Sequence, residues 1–327
     1  MTEPMFRTKP FIVHRDGAPG DALRGAVLAI GNFDGVHRGH RAVIAEALGR
    51  AQILGRPAAA LTFEPHPAAV LRPQEPMFRL TDQTAKLRLL AGTELDGAIV
   101  LKFDAALAAL TPEEFVHHIL VERYGIGGAA IGFDFHFGKN RMGSPVFLQT
   151  EGVRYNFAVD VMPPLQDEGR PVSSGTIRTA LAAGRVIEAA ELLGYPWFVS
   201  STVVAGDKRG RALGYPTANL KLDPGCGLKH GIYAVRVGFD GKLYDAVASF
   251  GRRPTFDNGA PILEVFLFDF NGDLYGQRLD VAFLAWIRQE MRFDSIDDLI
   301  HQMDDDSAKA REALSRAPGA FPVLGAI

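Results

Sequence analysis

The chain has 327 residues, of which 47% are hydrophobic and 22% charged, and its formal net charge is −3. This balance gives no reason to expect nucleic acid or an anionic membrane as a partner, and the length favours two domains. Residues 1–7 lack the apolar core of a signal peptide and no later run is long enough to span a membrane, so we predict a cytoplasmic protein. Cys226 is the only cysteine, which excludes an internal disulfide and a cysteine-rich zinc site.

Up to about residue 185 the chain alternates apolar strand-like runs with segments of helical spacing. The first strand is predicted at residues 26–30, and helical spacing follows at residues 41–48. Thr111 and Glu114 form a capping box with proline between them, which predicts a helix start. Further strands are predicted at residues 58–63, 97–101 and 128–132, and a further helix at about 81–91. The alternation predicts a parallel sheet covered by helices, with ligands at the carboxyl ends of the strands.

The turn at residues 31–40, Gly-Asn-Phe-Asp-Gly-Val-His-Arg-Gly-His, joins the first strand to the first helix. Unpaired N–H groups and the positive end of the helix dipole favour an anion there. His37 and His40 share one face of the first helical turn and can both donate to one phosphate, while Gly39 leaves room for the ligand. A bare His-x-Gly-His would more often be a pair of capping or solvated histidines. The preceding Gly-Asn-Phe-Asp-Gly favours the phosphate site.

Two more segments of the first half suit a nucleotide site. His66 lies in Phe-Glu-Pro-His-Pro at the end of a strand, where it either contacts substrate or packs the loop. Residues 172–178 open a helix with hydroxyl groups, and Arg178 follows one turn later. This arrangement suits a polyphosphate, although an ordinary serine cap with a surface arginine has the same pattern.

Beyond about residue 199 the hydrophobic period changes to two. Asp240-Gly241 and Asn271-Gly272 each lie between strand-like runs and predict hairpins, so we expect a small antiparallel barrel or sandwich. A last helix is predicted from near Ser295, and the acidic run at residues 304–306 is expected to be a solvated face rather than a metal site. The predicted division is a first domain at residues 1–185, a linker at 186–198 and a second domain at 199–327.

Residues 206–220 are basic, rich in turn formers and punctuated by Gly206, Gly210 and Gly214, as a phosphate cradle would be. Thr217 and Asn219 lie two apart, so in an extended segment both oxygens face one side and, with phosphates, could hold Mg²⁺. Spacing alone also allows a bland surface loop.

Glu264 lies inside the apolar run Ile-Leu-Glu-Val-Phe-Leu-Phe, on the same face as Phe266 and Phe268. Burial of a carboxylate is costly without a purpose, and an apolar setting would raise its pKa and make it a better proton acceptor. The pattern therefore indicates a general base. The alternative is a glutamate on an edge strand whose side chain reaches water.

Eight motifs in order resemble the prokaryotic bifunctional riboflavin kinase/FAD synthetase family, whose first module belongs to the His-x-Gly-His nucleotidyltransferases. They lie at residues 31–40, 63–67, 132–138, 173–178, 216–219, 253–255, 263–265 and 274–276. The resemblance implies an α/β plus β architecture. Its N-terminal domain is Rossmann-like with a parallel sheet, and its C-terminal domain is a six-stranded antiparallel β-barrel with a terminal helix.

The resemblance also implies two reactions that use ATP as co-substrate. In the second domain Glu264 would be the base for phosphorylation of riboflavin, with Thr217 and Asn219 on Mg²⁺ and the phosphates. In the first domain His37 and His40 would stabilise the α-phosphate of ATP while FMN attacks it. The remaining expected ligand contacts are Gly31, Asn32, Asp34, His66, Asp134 on the flavin-phosphate side, Ser174 and Arg178 on pyrophosphate, and Gly206, Gly210 and Gly214.

Two departures from the family pattern stand out. Gly175 occupies a position where the family has threonine, and His136 occupies one where arginine is common. Riboflavin, FMN and ATP are the expected partners, without nucleic acid or membrane, and self-association is left open. The main alternative is a riboflavin kinase with an inactive nucleotidyltransferase-like scaffold. A transferase that acts on pantetheine phosphate or nicotinate mononucleotide is disfavoured, because such enzymes lack the half that contains Pro-Thr-Ala-Asn. The presence of Glu264 argues against a non-enzymatic flavin carrier.

Overall fold

The computed structural model describes residues 10–17, 20–205, 214–252 and 261–327. The chain divides into two compact units, the first with residues 1–77, 81–173 and 323–327 and the second with residues 78–80 and 174–322. The domain division at residues 185 and 199 stays a prediction. Within the described residues, no helix combines the length and the apolar character needed to cross a membrane.

A six-stranded parallel sheet forms the centre of the first unit, in the order β1-β4-β3-β2-β5-β6. Its strands are β1 (Ile12–Arg15), β2 (Val27–Ile30), β3 (Ala58–Glu64), β4 (Gly97–Lys102), β5 (Gly128–Gly132) and β6 (Ala158–Met162). The central strands are buried on both faces, as their continuous apolar runs predict. The strand order reverses between β2 and β5, which is where open α/β sheets bind ligands.

Helices connect these strands. They are α1 (Arg38–Leu54), α2 (Pro67–Leu71), α3 (Gln83–Ala91), α4 (Ala105–Ala109), α5 (Pro112–Glu114), a π helix (Phe115–Arg123) and α6 (Pro145–Tyr155). A short ribbon of β7 (Gln166–Asp167) and β8 (Arg170–Pro171) follows β6. The predicted capping box is confirmed, because Thr111 Oγ1 accepts from the Glu114 N–H at 3.2 Å and the Glu114 carboxylate accepts from the Thr111 N–H at 2.8 Å.

The second unit contains a closed antiparallel barrel in the order β10-β13-β12-β11-β14-β9. Two helices precede it, α7 (Ser174–Ala182) and α8 (Val186–Leu193). The strands are β9 (Phe198–Val204), β10 (Ala218–Lys221), β11 (Gly231–Phe239), β12 (Lys242–Arg252), β13 (Pro261–Leu267) and β14 (Arg278–Arg288), and α9 (Ile296–Ser315) follows them. The six-stranded barrel with a terminal helix is therefore confirmed.

One of the two predicted hairpins forms and the other is wrong. Asp240 and Gly241 join β11 to β12 with φ of 50° and 70°, as a tight turn between antiparallel strands requires. Asn271-Gly272 joins no hairpin, since β13 pairs with β10 and β12 whereas β14 pairs with β11 and β9. The dipeptide lies within the longer connection, residues 268–277, between β13 and β14, which are not neighbours in the barrel.

Helix α9 begins after Ser295, whose hydroxyl caps the first turn, and packs on the outer face of the barrel with Ala310 and Leu314 buried. The prediction that the acidic run is solvated is wrong for Asp306, which is 3% exposed. Asp306 lies four residues before Ala310, so helical spacing turns it toward the barrel. There it accepts two hydrogen bonds from Arg288, at 2.8 and 2.5 Å.

Candidate functional site

The turn from β2 to α1 brings the two histidines together as predicted. His37 caps α1, and its Nδ1 accepts a hydrogen bond from the His40 backbone N–H at 3.2 Å. The two rings stack with their centroids 3.6 Å apart and their planes 17° apart. Because Nδ1 of His37 is an acceptor in this arrangement, Nε2 is the nitrogen that carries a proton and can donate to a ligand.

Hydrogen bonds accepted by Asp34 hold this turn in an unusual backbone conformation. Phe33 and Val36 have φ of 50° and 36°, which is strained for residues with a Cβ and above all for β-branched valine, and both are buried. Asp34 is 4% exposed, and its Oδ1 accepts from the Thr81 N–H at 3.1 Å and the Thr81 hydroxyl at 3.4 Å. The Thr81 hydroxyl in turn accepts from the Gly35 N–H at 3.1 Å. These contacts order the turn, and ligand contact by Asp34 stays a prediction.

Gly39 also has a role in packing. A Cβ at this position would lie 3.1 Å from Cε1 of the His37 ring, 3.2 Å from its Nδ1 and 3.4 Å from the Val172 carbonyl oxygen. The space beside Gly39 therefore holds the catalytic candidate His37. That this glycine also leaves room for a ligand stays a prediction. The glycine of His-x-Gly-His allows the imidazole to lie against the helix.

Sequence reasoning missed Lys86 of α3, which is 2% exposed. Its Nζ donates to the Thr62 hydroxyl at 3.2 Å, the Phe63 carbonyl at 3.2 Å, the Glu64 carboxylate at 3.4 Å and the Asn32 carbonyl at 3.5 Å. A buried lysine needs such partners, because an unpaired buried charge is very costly. Lys86 thus ties the histidine turn to the end of β3. The sequence signal that could have identified Lys86 is its position three and four residues before Leu89 and Leu90, which puts it on the same helix face as these apolar residues.

His40 is held in its neutral form. Burial lowers its pKa well below the ordinary value, and the charges of His37 and Lys86 lower it further. Its Nδ1 is buried and has no hydrogen-bond partner within the part of the chain that the structure describes. A neutral imidazole with a free ring nitrogen lies beside His37 at the start of a helix.

The other predicted residues of the first unit follow the same edge of the sheet. Gly31 directly follows β2, and its N–H donates to the Leu61 carbonyl of β3 at 3.1 Å. His66 is 9% exposed and caps α2, with its Nδ1 accepting from the Ala68 N–H at 3.1 Å, so it does pack its loop. Asp134 is exposed just after β5, the strand beside β2, and its neighbour Phe133 is 50% exposed. Ligand contact by these residues stays a prediction.

Ser174 and Arg178 lie in the second unit, at the start of α7 and one turn into it. The Nε of Arg178 donates to the Phe78 carbonyl oxygen at 2.5 Å, which restrains the guanidinium. The start of a helix at Ser174 agrees with the sequence analysis. The contact of both residues with pyrophosphate stays a prediction.

A second cluster lies on three adjacent strands of the barrel. Glu264 of β13 is opposite Asn219 of β10 and opposite Ser249 of β12, so the three side chains are neighbours on one face. Because β13 is paired on both sides, the edge-strand alternative for Glu264 is wrong. The Glu264 side chain is half-buried, whereas its neighbours along the strand, Leu263 and Val265, are fully buried.

The segment before β10 is anchored at Tyr215. Its ring packs on Phe266 with centroids 4.8 Å apart, and its hydroxyl donates to the Asp304 carboxylate of α9. Burial and the Asp304 hydrogen bond raise the pKa of Tyr215 to about 12, so the phenol stays neutral. Gly214, with a φ of 84°, precedes it.

The side chains of the cluster around Glu264 offer mainly oxygen atoms as potential ligands. Asn219 is 9% exposed, and its amide nitrogen donates to the Thr217 carbonyl oxygen at 3.3 Å, which directs the amide oxygen away from that carbonyl. Hydroxyl, amide and carboxylate oxygens are the ligands that Mg²⁺ accepts, so the donor set fits this ion. Gly206, Gly210 and the motif at residues 253–255 lie outside the described residues.

Two family models match the chain. The FAD synthetase model covers residues 20–176, and the riboflavin kinase model covers residues 193–314. Each match includes one of the two clusters described above, with the histidine turn in the first and Glu264 in the second.

Curated relatives match most of the chain. A bifunctional riboflavin kinase/FMN adenylyltransferase of Pseudomonas fluorescens is 42% identical over 290 residues, which is 88% of this chain and 93% of that protein. The protein of the same name in Escherichia coli K12 is 39% identical over 289 residues, 88% of this chain and 92% of that protein. A crystal structure titled as a macrolide-efflux protein from Streptococcus pneumoniae superposes with a TM-score of 0.82 at 32% identity, covering 92% of this chain and 99% of that one. The chain therefore belongs to the bifunctional riboflavin kinase/FMN adenylyltransferase family.

Proposed function

We propose that this chain makes FAD from riboflavin in two ATP-dependent steps. The first phosphorylates riboflavin to FMN, and the second transfers the adenylyl group of ATP to FMN and releases pyrophosphate. The observation that carries the proposal is the stacked pair His37 and His40 at the sheet edge in one unit, together with Glu264 opposite Asn219 in the other. Each cluster lies inside the family model whose activity it would perform.

In the adenylyl transfer, a phosphate oxygen of FMN attacks the α-phosphorus of ATP and the bond to the β-phosphate oxygen breaks. This chemistry needs positioning and charge stabilisation more than covalent help. The Nε2–H of His37 donates to the α-phosphate, and His40 supports it from the same face. The family resemblance assigns Ser174 and Arg178 to the departing pyrophosphate.

Four further residues belong to the proposed first site. Gly31 and Asn32 line the nucleotide side of the turn. Asp134 meets the flavin-phosphate side, and the half-exposed ring of Phe133 beside it offers an apolar surface for the flavin.

In the kinase reaction, Glu264 takes the proton of the ribityl 5′-hydroxyl as that oxygen attacks the γ-phosphorus of ATP. The bond from the γ-phosphorus to the bridging oxygen of the β-phosphate breaks, and ADP leaves. Thr217 and Asn219 would hold Mg²⁺, which when bound neutralises charge on the phosphates. Tyr215 supports the proposal, because its contacts with Phe266 and Asp304 hold the segment before β10 in place.

The alternative of an inactive first domain is not favoured. The stacked histidines, the Asp34 contacts with Thr81 and the buried Lys86 are all in place around the turn. The curated relatives also carry both activities in their names. The cytoplasmic location stays part of the proposal, with riboflavin, FMN and ATP as the small-molecule partners.

Product analysis with riboflavin, ATP and Mg²⁺ tests both assignments. The double variant His37→Ala/His40→Ala should stop at FMN. The variant Glu264→Gln should fail to phosphorylate riboflavin and still convert supplied FMN to FAD. FAD formation at the normal rate by the histidine variant would refute the first site, and loss of both activities in a folded Glu264→Gln protein would refute independent modules.

A further inference from the structure

The π helix (Phe115–Arg123) carries two histidines and a glutamate on one exposed face. In an α-helix, a residue five positions further on lies about 140° around the axis, so His117 and Glu122 would point apart. The wider turn of a π helix brings such a residue back over the first. Glu122 therefore meets His117 and its neighbour His118 at the same time, and π-helical turns are often found at functional sites.

The three side chains converge closely. Nε2 of His117 lies 3.3 Å from one oxygen of Glu122, and Nδ1 of His118 lies 2.7 Å from the other. One ligand atom from each residue lies within 4.8 Å of the other two. Across the described ranges, this is the single group of at least three histidine, cysteine or acidic residues that meets that distance.

The backbone beneath this face is rigidly packed. Phe115, Val116, Ile119 and Leu120 of the same helix are buried in the core of the first unit. The His117 ring also stacks on Tyr155 of α6, with centroids 5.6 Å apart and planes 22° apart. A site whose scaffold is already fixed loses less conformational freedom when a ligand binds.

We propose that His117, His118 and Glu122 bind a divalent transition-metal ion such as Zn²⁺. Two imidazole nitrogens and one carboxylate oxygen form a common three-residue set for Zn²⁺, with water in the fourth position. With metal–ligand bonds of about 2.0–2.1 Å, the ligand atoms of a tetrahedral site lie roughly 3.3 Å apart. The distance of 3.3 Å from His117 to Glu122 already meets this value.

The exposed side chains have room to adjust to a metal. The His118 nitrogen, 2.7 Å from Glu122, must move away from it by a fraction of an ångström, and both His118 and Glu122 are more than half exposed, at 54% and 55%. Mg²⁺ and Ca²⁺ prefer all-oxygen sites, so the two imidazoles select against them. None of the three residues takes part in the proposed reactions.

Isothermal titration calorimetry of the untagged full chain with Zn²⁺, in millimolar Mg²⁺ to fill oxygen-only sites, tests this proposal. We expect one Zn²⁺ per chain in the micromolar range and at least a tenfold weaker affinity in His118→Gln and in Glu122→Gln. The half-buried His14 of β1, outside the cluster, provides the matched control His14→Gln, which should bind as the wild type does. The double variant His37→Ala/His40→Ala should also keep the site.

A second measurement separates a lost site from a misfolded variant. Co²⁺ should give the visible absorption bands of a tetrahedral complex in the wild type and lose them in both π-helix variants, while the circular dichroism spectrum and riboflavin kinase activity stay unchanged. Wild-type affinity in either π-helix variant, loss of binding in the His37→Ala/His40→Ala variant, or affinity no better than millimolar would overturn the proposal.

Discussion

Replacement of Lys86 with methionine should stop FAD synthesis and leave riboflavin phosphorylation intact. Methionine keeps an unbranched apolar side chain in a site that is 2% exposed and removes the charge and every donated hydrogen bond. Lys86 reaches four acceptors within 3.5 Å, and one of them is the Asn32 carbonyl at the start of the histidine turn. The change therefore removes the lysine's link between the turn and β3 without touching a proposed catalytic group.

The expected loss of stability follows from the burial of the ion pair between Lys86 and Glu64. Glu64, the charged partner, is 16% exposed, and removal of one member of a buried ion pair costs about 3–5 kcal/mol. A misplacement of catalytic groups by an ångström lowers a rate by about a hundredfold. We expect kcat for adenylyl transfer to fall by about that factor, with the riboflavin kinase rate within about twofold of the wild type.

The pH profile distinguishes a role at the site from a loss of stability alone. The positive charge of Lys86 lowers the pKa of His40, so removal of that charge raises this pKa toward its ordinary value. The acid limb of FAD synthesis should move to higher pH in Lys86→Met and stay in place in Lys86→Arg, which keeps the charge. The matched control is Lys102→Met on β4, since Lys102 is 66% exposed.

The assay is FAD formation from supplied FMN and ATP between pH 5 and 9, with riboflavin phosphorylation in the same samples as the measure of intact protein. Normal FAD synthesis by Lys86→Met would show that the turn does not depend on this lysine. A residual activity whose acid limb stays at the wild-type pH would refute its electrostatic effect on His40.

Two further substitutions test the packing described above. Gly39→Ala should lower FAD synthesis at least tenfold because its Cβ would press on the His37 ring, whereas Gly49→Ala on the same helix meets nothing within 4 Å and should leave the activity unchanged; equal rates in the two variants would contradict this role of Gly39. Asp306→Asn should lower the free energy of unfolding of the kinase unit by about 2–4 kcal/mol, since it breaks a buried ion pair, and a thermal or urea unfolding curve measures it. The neighbouring exposed carboxylate provides the control Asp305→Asn, and a similar small loss in both proteins would show that burial of Asp306 contributes little.

Local patterns were sufficient for most of the parallel sheet and for the meeting of the two histidines. Continuous apolar runs predicted four of the six parallel strands, and the switch to alternation after residue 199 predicted the barrel. His37 and His40 came together because a helix start brings residues three apart onto one face, a relation that needs no distant part of the chain. The Asp240-Gly241 hairpin is equally local, since its two residues supply the positive φ angles of the turn.

Relations between distant residues depended on the tertiary structure. The sequence alone determined the alternating units, the histidine turn and the glutamate within an apolar strand. Only strand pairing placed Glu264 opposite Asn219 and separated the strands on either side of Asn271-Gly272, and only helix docking brought Lys86 to Asn32 and Asp306 to Arg288. The physical reason is that periodicity states which face of an element is buried, whereas the neighbours that meet that face are chosen by packing of the whole unit.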